Sequence, residues 1–241
     1  MVSKNQIKLI SSLQQKKYRT VHQLFTVEGK KGIQELLDST LELEHLYTTQ
    51  NDFKTVAKDK KSIVSDADLK KISALSTPNT CLAVFRIPKE EKIKESGLLV
   101  VLDAIRDPGN LGTIIRLCDW FGIQQLICSK ETVDVYNPKV VQATMGSITR
   151  VNVNYVNLYD FLSSTSLPVF GTFMTGLSIY DATLPREGIV VVGNEANGIS
   201  KELEKIIKNR LTIPHFGSLQ KAESLNVATA TAIVLSEFCR R

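Results

Sequence analysis

Apolar side chains between Val2 and Gln15 recur at helical spacing, with Ile7, Ile10 and Leu13 on one side, and predict a first helix. Phe25-Thr26-Val27-Glu28-Gly29 then reads as a short strand running into a helix over 31–38. Further strands are expected at 43–49, 62–65 and 81–87, with helical patterns at 52–58 and 66–75. Such alternation predicts a small α/β domain over residues 1–88. The next stretch, 89–97, is dense in Lys and Glu and closes on Gly97, the composition of a linker.

From residue 98 the texture changes. Leu98-Leu99-Val100-Val101-Leu102 is a continuous apolar run, as a strand buried on both faces of a parallel sheet requires. Comparable runs fall at 125–128, 168–172, 189–192 and 211–213. Helical patterns separate them at 111–121, 138–146, 158–163 and 200–209, and a last one covers 225–240. Residues 98–241 are therefore expected to form an α/β domain built on an open, mostly parallel sheet. Ligands of such sheets bind beyond the carboxyl ends of the strands.

Charge sharpens the division. Residues 1–88 hold 14 Lys and Arg against 9 Asp and Glu, whereas residues 89–241 hold 16 of each sign, so the whole net charge of +5 sits in the first third. Within the first 31 positions Lys4, Lys8, Lys16, Lys17, Arg19, Lys30 and Lys31 face only Glu28. This is either a polyanion contact surface or a solvated helix face. No apolar run approaches the roughly 18 residues a membrane span needs, and Met1-Val2-Ser3-Lys4-Asn5-Gln6 is not the start of a signal peptide, so a cytoplasmic protein is expected. Cys81, Cys118, Cys128 and Cys239 are dispersed and three of them sit among apolar residues, which suits free thiols and no metal site.

Three loops after strands carry the candidate chemistry. The first is Asp103-Ala104-Ile105-Arg106-Asp107-Pro108-Gly109-Asn110-Leu111-Gly112, opening a helix on which Arg116 projects one turn after Gly112, on the same face. Asn110 is the expected N-cap, and Asp119 a possible partner of Arg116. The second is Gly193-Asn194-Glu195-Ala196-Asn197-Gly198-Ile199-Ser200, in which a glutamate at a strand end has no evident packing role and Ser200 is placed to cap the next helix. The third runs from Ile213-Pro214-His215-Phe216-Gly217 to Ala222-Glu223-Ser224-Leu225-Asn226-Val227, entering a helix of small residues that Ser224 could cap.

In this order the three segments closely resemble the three motifs of the SpoU-type (TrmH-like) RNA 2′-O-methyltransferases of the SPOUT superfamily. The front, with Lys17–Arg19 and Phe25–Gly29, is similar to that family's small substrate-binding domain. The resemblance implies a C-terminal trefoil knot, a homodimer, and S-adenosylmethionine as methyl donor to a ribose 2′-hydroxyl in structured RNA, with ribosomal RNA ahead of transfer RNA. It implies functional roles for Asn110, Arg116, Glu195, Ser224 and Asn226, and cofactor contacts from Gly193, Asn194, Ile213, His215 and Leu225. Glu195 would orient its neighbours, Arg116 among them. Lys16, Lys17, Arg19, Lys30 and Lys31 would meet RNA. Three features depart from the usual pattern: His215 replaces a methionine, the stretch between Gly217 and Ser224 is lengthened, and Val227-Ala228-Thr229 replaces Val-Ser-Val. The competing reading is a catalytically silent RNA-binding protein with a knotted cofactor-binding domain.

Overall fold

The computed structural model describes residues 2–217 and 224–240, and its chain divides into two compact units. The first comprises the chain up to Glu90 together with Asp134–Thr149, and the second comprises Glu91–Val133 and the chain from Arg150 onward. The first unit is therefore discontinuous. Residues 134–149, expected on position alone to belong to the C-terminal part, cluster with the N-terminal one.

In the first unit the elements are α1 (Lys4–Ser12), α2 (Lys16–His22), β1 (Leu24–Glu28), α3 (Lys30–Leu37), β2 (Leu43–Thr48), β3 (Lys61–Ile63), α4 (Asp66–Ile72) and β4 (Cys81–Arg86). The strands lie in the order β1-β4-β2-β3, antiparallel except for the parallel β2–β3 pair. Strand periodicity sends Cys81, Ala83 and Phe85 into one core with Phe25, Ile33 and Leu36, and Leu82 and Val84 into another with Ile10, Leu13 and Ile72. Both faces of β1 and most of β4 are thus buried. The expected helix at 52–58 does not form: Phe53 is buried in the first core with a φ of +56°, which no right-handed helix accommodates, and only a 3₁₀ turn over Lys58–Lys60 follows. No sequence pattern predicts helix α2, because Lys16–His22 carries no apolar stripe.

The inserted segment carries the helix Pro138–Thr144, here α6, and supplies Val141, with Tyr136 and Ile148 packed alongside, to the core of Phe25 and Phe85. Arg19 holds it. This side chain, expected at the RNA surface, is only 2% exposed. Its Nε and Nη2 both donate to Asp134 Oδ2, at 2.9 and 2.5 Å, and its Nη1 donates to the Leu13 carbonyl at 2.7 Å. A buried guanidinium must be paired, and this one is an internal clamp.

The second unit contains β5 (Leu98–Leu102), α5 (Pro108–Trp120), β6 (Gln125–Ser129), β7 (Asn152–Val156), α7 (Leu158–Ser164), β8 (Val169–Ser178), β9 (Gly188–Val192), α8 (Lys201–Glu204), β10 (Asn209–Thr212) and α9 (Val227–Cys239). The sheet is parallel throughout, in the order β10-β8-β9-β5-β6-β7. Leu99, Val101, Ile127, Ile189 and Val191 bury one face against Leu158, Leu203 and Ile207. The expected helix over 200–209 shortens to the four residues of α8, and Ile207 turns inward into the core beside Leu99 and Val101. Strand β8 outruns its expected end: after Gly171 pairs with Arg210, the register jumps so that Leu177 pairs with Leu211, and residues 172–176 bulge out between the two pairings.

Candidate active site

Strands β5 and β9 are neighbours, and the strand order reverses beside them, so loops one and two leave the sheet side by side at its switch point. Asp103, nearly buried, accepts the Ser200 backbone N–H at 2.7 Å on Oδ2 and fastens the far end of loop two to the end of β5. Asn194 donates from Nδ2 to the Ala104 carbonyl at 2.8 Å, and its Oδ1 accepts from the backbone of Ala196. Ala104 is held at a φ of +56°, a strained conformation for a residue with a Cβ, at the point where both loops meet.

The helix caps differ from expectation, and the difference matters. Asp107, not Asn110, caps α5, its Oδ1 accepting from the Asn110 backbone at 2.8 Å. Asn226, not Ser224, caps α9, accepting from the backbones of Ala228 and Thr229. Ser200 stands at the N-cap position of α8 but makes no side-chain cap bond. With the cap supplied by Asp107, the Asn110 amide is free for longer-range contacts. Its Nδ2 donates to Glu195 Oε1 at 2.5 Å, and its Oδ1 accepts from Asn226 Nδ2 at 2.9 Å. One side chain thus joins loops one, two and three.

Glu195 does not pair with Arg116, contrary to expectation, and Asp119 is engaged at 2.9 Å by Arg150 instead. Among the described residues the exposed Arg116 makes no hydrogen bond or ion pair. It is the unspent cation of α5.

Loops two and three and the bulged part of β8 enclose a cavity of about 710 Å³. Gly193, Asn194, Glu195, Ile213, His215, Ser224 and Leu225 line it, whereas Asn110, Arg116 and Asn226 are not among its lining residues. Leu211, Val227, Ala230 and Val234 supply its apolar wall. A Cβ on Gly193 would lie 2.2 Å from backbone atoms of Gly198 and Ile199, so only glycine lets the two ends of loop two cross there. Sequence reasoning places Asp103 in loop one without a role and does not single out Phe173 or Arg210. The Arg210 guanidinium lies 3.7 Å from the Phe173 ring centroid and its Nη1 donates to Glu204 Oε1 at 2.7 Å, bracing the cavity's outer wall. Nothing local in the sequence marks that bulge. Ala222, Glu223 and the lengthened stretch of loop three lie outside the described residues.

In the first unit Lys16, Lys17, Lys30 and Lys31 are all exposed; Lys30 also reaches Asp52 at 3.1 Å, and Lys17 lies 5.9 Å from the Tyr18 ring centroid. No group of three or more His, Cys, Asp or Glu side chains is placed to hold a metal among the described residues, and no helix there is long and apolar enough to cross a membrane.

The family model of the SpoU rRNA methylases matches residues 97–236, more than half of the chain and all three loops. The chain belongs to the SpoU rRNA methylase family. A second family model, that of the MRM3-like substrate binding domain, matches residues 4–83 of this SpoU-family chain. Among curated proteins it is 30% identical to the 23S rRNA (guanosine(2553)-2′-O)-methyltransferase RlmP of Bacillus subtilis, over 97% of this chain and 96% of that one. Among solved structures it is similar to a TrmH-family protein from Porphyromonas gingivalis, 41% identical with a TM-score of 0.91, over 100% and 99% of the two chains. It is also similar to an AdoMet-bound rRNA methyltransferase from Sinorhizobium meliloti, 29% identical with a TM-score of 0.86, over 100% and 97%.

Proposed function

We propose that this SpoU-family chain methylates a ribose 2′-hydroxyl of ribosomal RNA, with S-adenosylmethionine as donor. The observation that carries the reading is the Asn226–Asn110–Glu195 chain of hydrogen bonds, which ties the three motif loops together beside one cavity. Full-length similarity to a named 23S rRNA 2′-O-methyltransferase supports it, and nothing among the relatives favours a silent binding protein.

The cavity suits the donor. Its volume lies within the range of nucleotide-sized pockets, its wall is apolar where an adenine would rest, and glycine at 193 keeps the loop crossing open. Gly193, Asn194, Ile213, His215 and Leu225 would hold the molecule, which when bound supplies an electrophilic methyl on a sulfonium. The protein's share of the work is alignment: the reacting oxygen must be held in line with that methyl, and rigid coupling of the three loops serves this. The attacking hydroxyl must also lose a proton. A guanidinium stays protonated and offers no acceptor, so Arg116 acts as a phosphate clamp and stabilises the developing alkoxide. Ser224 and Asn226 border the approach of the ribose. Lys16, Lys17, Lys30 and Lys31 contribute long-range attraction for RNA, without Arg19.

Two finer features belong to the same reading. Loops two and three are proposed to cross as a trefoil knot, and two copies are proposed to form a homodimer through the α5 side, where Trp120 is 84% exposed one turn beyond Arg116. The test is transfer of radiolabelled methyl from S-adenosylmethionine to unmodified ribosomal and transfer RNA, with Arg116→Ala and Arg116→Lys beside the wild type. Label in the ribosomal fraction, released as 2′-O-methylnucleoside and lost in both variants, is expected. Full turnover by Arg116→Lys would remove the need for a planar guanidinium, and base methylation would overturn the reading.

A further inference from the structure

Eleven large apolar side chains are exposed among the described residues, and five of them, Met174, Leu177, Tyr180, Phe216 and Leu225, lie on the segments that bound this one cavity. Scattered exposed apolar groups need no explanation, but a concentration around an opening does. Phe216 stands out. It lines the cavity yet is 83% exposed, and its ring lies 6.3 Å from that of Tyr180 at an interplanar angle of 36°. Tyr180 is itself fixed from below, its backbone N–H donating to Ser178 Oγ at the end of β8. The interior of the cavity has its own apolar wall from Leu211, Val227, Ala230 and Val234, so Phe216 is not needed to complete it.

We propose that Phe216, backed by Tyr180, is the stacking platform for the base of the nucleotide being methylated, an unpaired base turned out of its RNA strand. The inference rests on the proposed 2′-O-methylation and adds the subsite that reads the nucleotide. In a nucleotide the base is joined to the carbon next to the one bearing the reacting oxygen. A ribose that presents its 2′-oxygen to the cavity therefore delivers its base to the cavity's mouth, where Phe216 stands. Specific recognition of RNA favours unpaired nucleotides whose bases stack on aromatic side chains. A second copy of the chain seated on Phe216 would instead cover the opening through which the ribose must enter, which makes it the poorer occupant.

The test uses the full-length protein with in vitro transcribed, unmodified large-subunit rRNA. Phe216→Ala and Phe216→Leu are expected to raise the KM for RNA roughly tenfold, with Phe216→Trp restoring it, the size of effect that loss of one base–aromatic stack produces. Dissociation of S-adenosylmethionine, followed by equilibrium dialysis, and the sedimentation mass should stay unchanged. Leucine separates stacking from mere apolar contact. A second measurement does not depend on turnover: in Trp120→Phe/Phe216→Trp the introduced tryptophan is the sole one of the chain, and its fluorescence should be quenched by the rRNA in the presence of S-adenosylhomocysteine. Quenching without methyl transfer by the wild type would defeat the proposed reaction and leave the platform standing. An unchanged KM for RNA in the Ala and Leu variants, or absent quenching, overturns the platform. So does a shift in cofactor dissociation or a fall in mass, which would assign Phe216 to the cofactor or to the subunit contact.

Discussion

Removing the carboxylate of Asp134 should destabilise the first unit more than any surface substitution in it. The Arg19 side chain is 3% exposed and that of Asp134 14%. Asp134 takes two of the three hydrogen bonds that the guanidinium makes, leaving only the Leu13 carbonyl if it is lost. Breaking such a pair from one side leaves a buried charge without compensation, at a cost of about 3–5 kcal/mol. For an unfolding unit near 100 residues each kcal/mol moves Tm by about 4–8 °C, so Asp134→Ala should lower the first unit's transition by roughly 15 °C or more. Part of this arises elsewhere, because Asp134 Oδ1 also accepts from the Tyr136 backbone at 3.2 Å.

Urea unfolding followed by circular dichroism would read the loss, with Arg19→Met/Asp134→Leu as the control. Replacing both partners by apolar groups removes the charge along with its need, and should recover most of the stability. The opposite account makes Arg19 an RNA contact. On that account Arg19→Ala weakens RNA binding and lowers its salt slope by about one, as for a lost phosphate contact, while unfolding is unaffected. An Asp134→Ala protein that unfolds at the wild-type midpoint would refute the clamp.

Other consequences follow from the second unit and the titrating groups. Asn226→Ser keeps a side-chain acceptor for the start of α9 but is too short to reach Asn110; stability should hold within about 0.5 kcal/mol, while methyl transfer falls at least tenfold, and equal activity would divorce the amide from the site. Gly193→Ala drives a Cβ into the backbone of Gly198 and Ile199 and should cost about 1–3 kcal/mol or more and abolish donor binding in dialysis; retained binding would deny the close crossing its role. Burial raises all four thiols, Cys118 to about 12, but Cys81, Cys118 and Cys128 are also buried while Cys239 is exposed, so one thiol, Cys239, should react with Ellman's reagent in the native chain and all four after denaturation. Burial lowers the His45 pKa against the opposing pull of Glu44 and Asp59. Its contribution to stability is therefore complete above its unfolded pKa of about 6.5 and is lost as pH falls towards the folded value. His45→Gln should flatten the pH dependence of unfolding in that window, and an unchanged slope would contradict the assignment.

The fold was legible wherever burial is repeated along the chain. The runs at Leu98–Leu102 and Gly188–Val192 became adjacent central strands because a strand covered on both faces has no polar side to interrupt it. Edge strand β7, Asn152–Val156, escaped notice for the converse reason: its polar residues alternate with apolar ones and leave no run. Periodicity failed at 52–58, where the positive φ of Phe53 breaks a pattern that residue types alone support. It was also silent about Arg19. A basic cluster in sequence reads as a surface, and only the carboxylate of Asp134, 115 positions later, turns one member of it inward.

The site was legible as three separate loops, and what escaped was the bond between them. Each loop announces itself locally, by a buried strand that stops and a helix that starts. The contacts that unite them span 85 and 116 positions and depend on which side chain is left over once capping is satisfied. From sequence Asn110 reads as a cap, because it stands near a helix start with the right chemistry. Asp107, three residues earlier, takes that duty and releases the amide, which then both donates to Glu195 and accepts from Asn226. An aspartate at position 110 could accept from Asn226 but could donate nothing to Glu195, and two carboxylates would then face each other across the junction. The amide is the side chain of that length with both capacities. The same logic accounts for Arg116: with Glu195 engaged by Asn110 and Asp119 by Arg150, no carboxylate among the described residues pairs with this exposed cation, which leaves it available for the proposed phosphate contact.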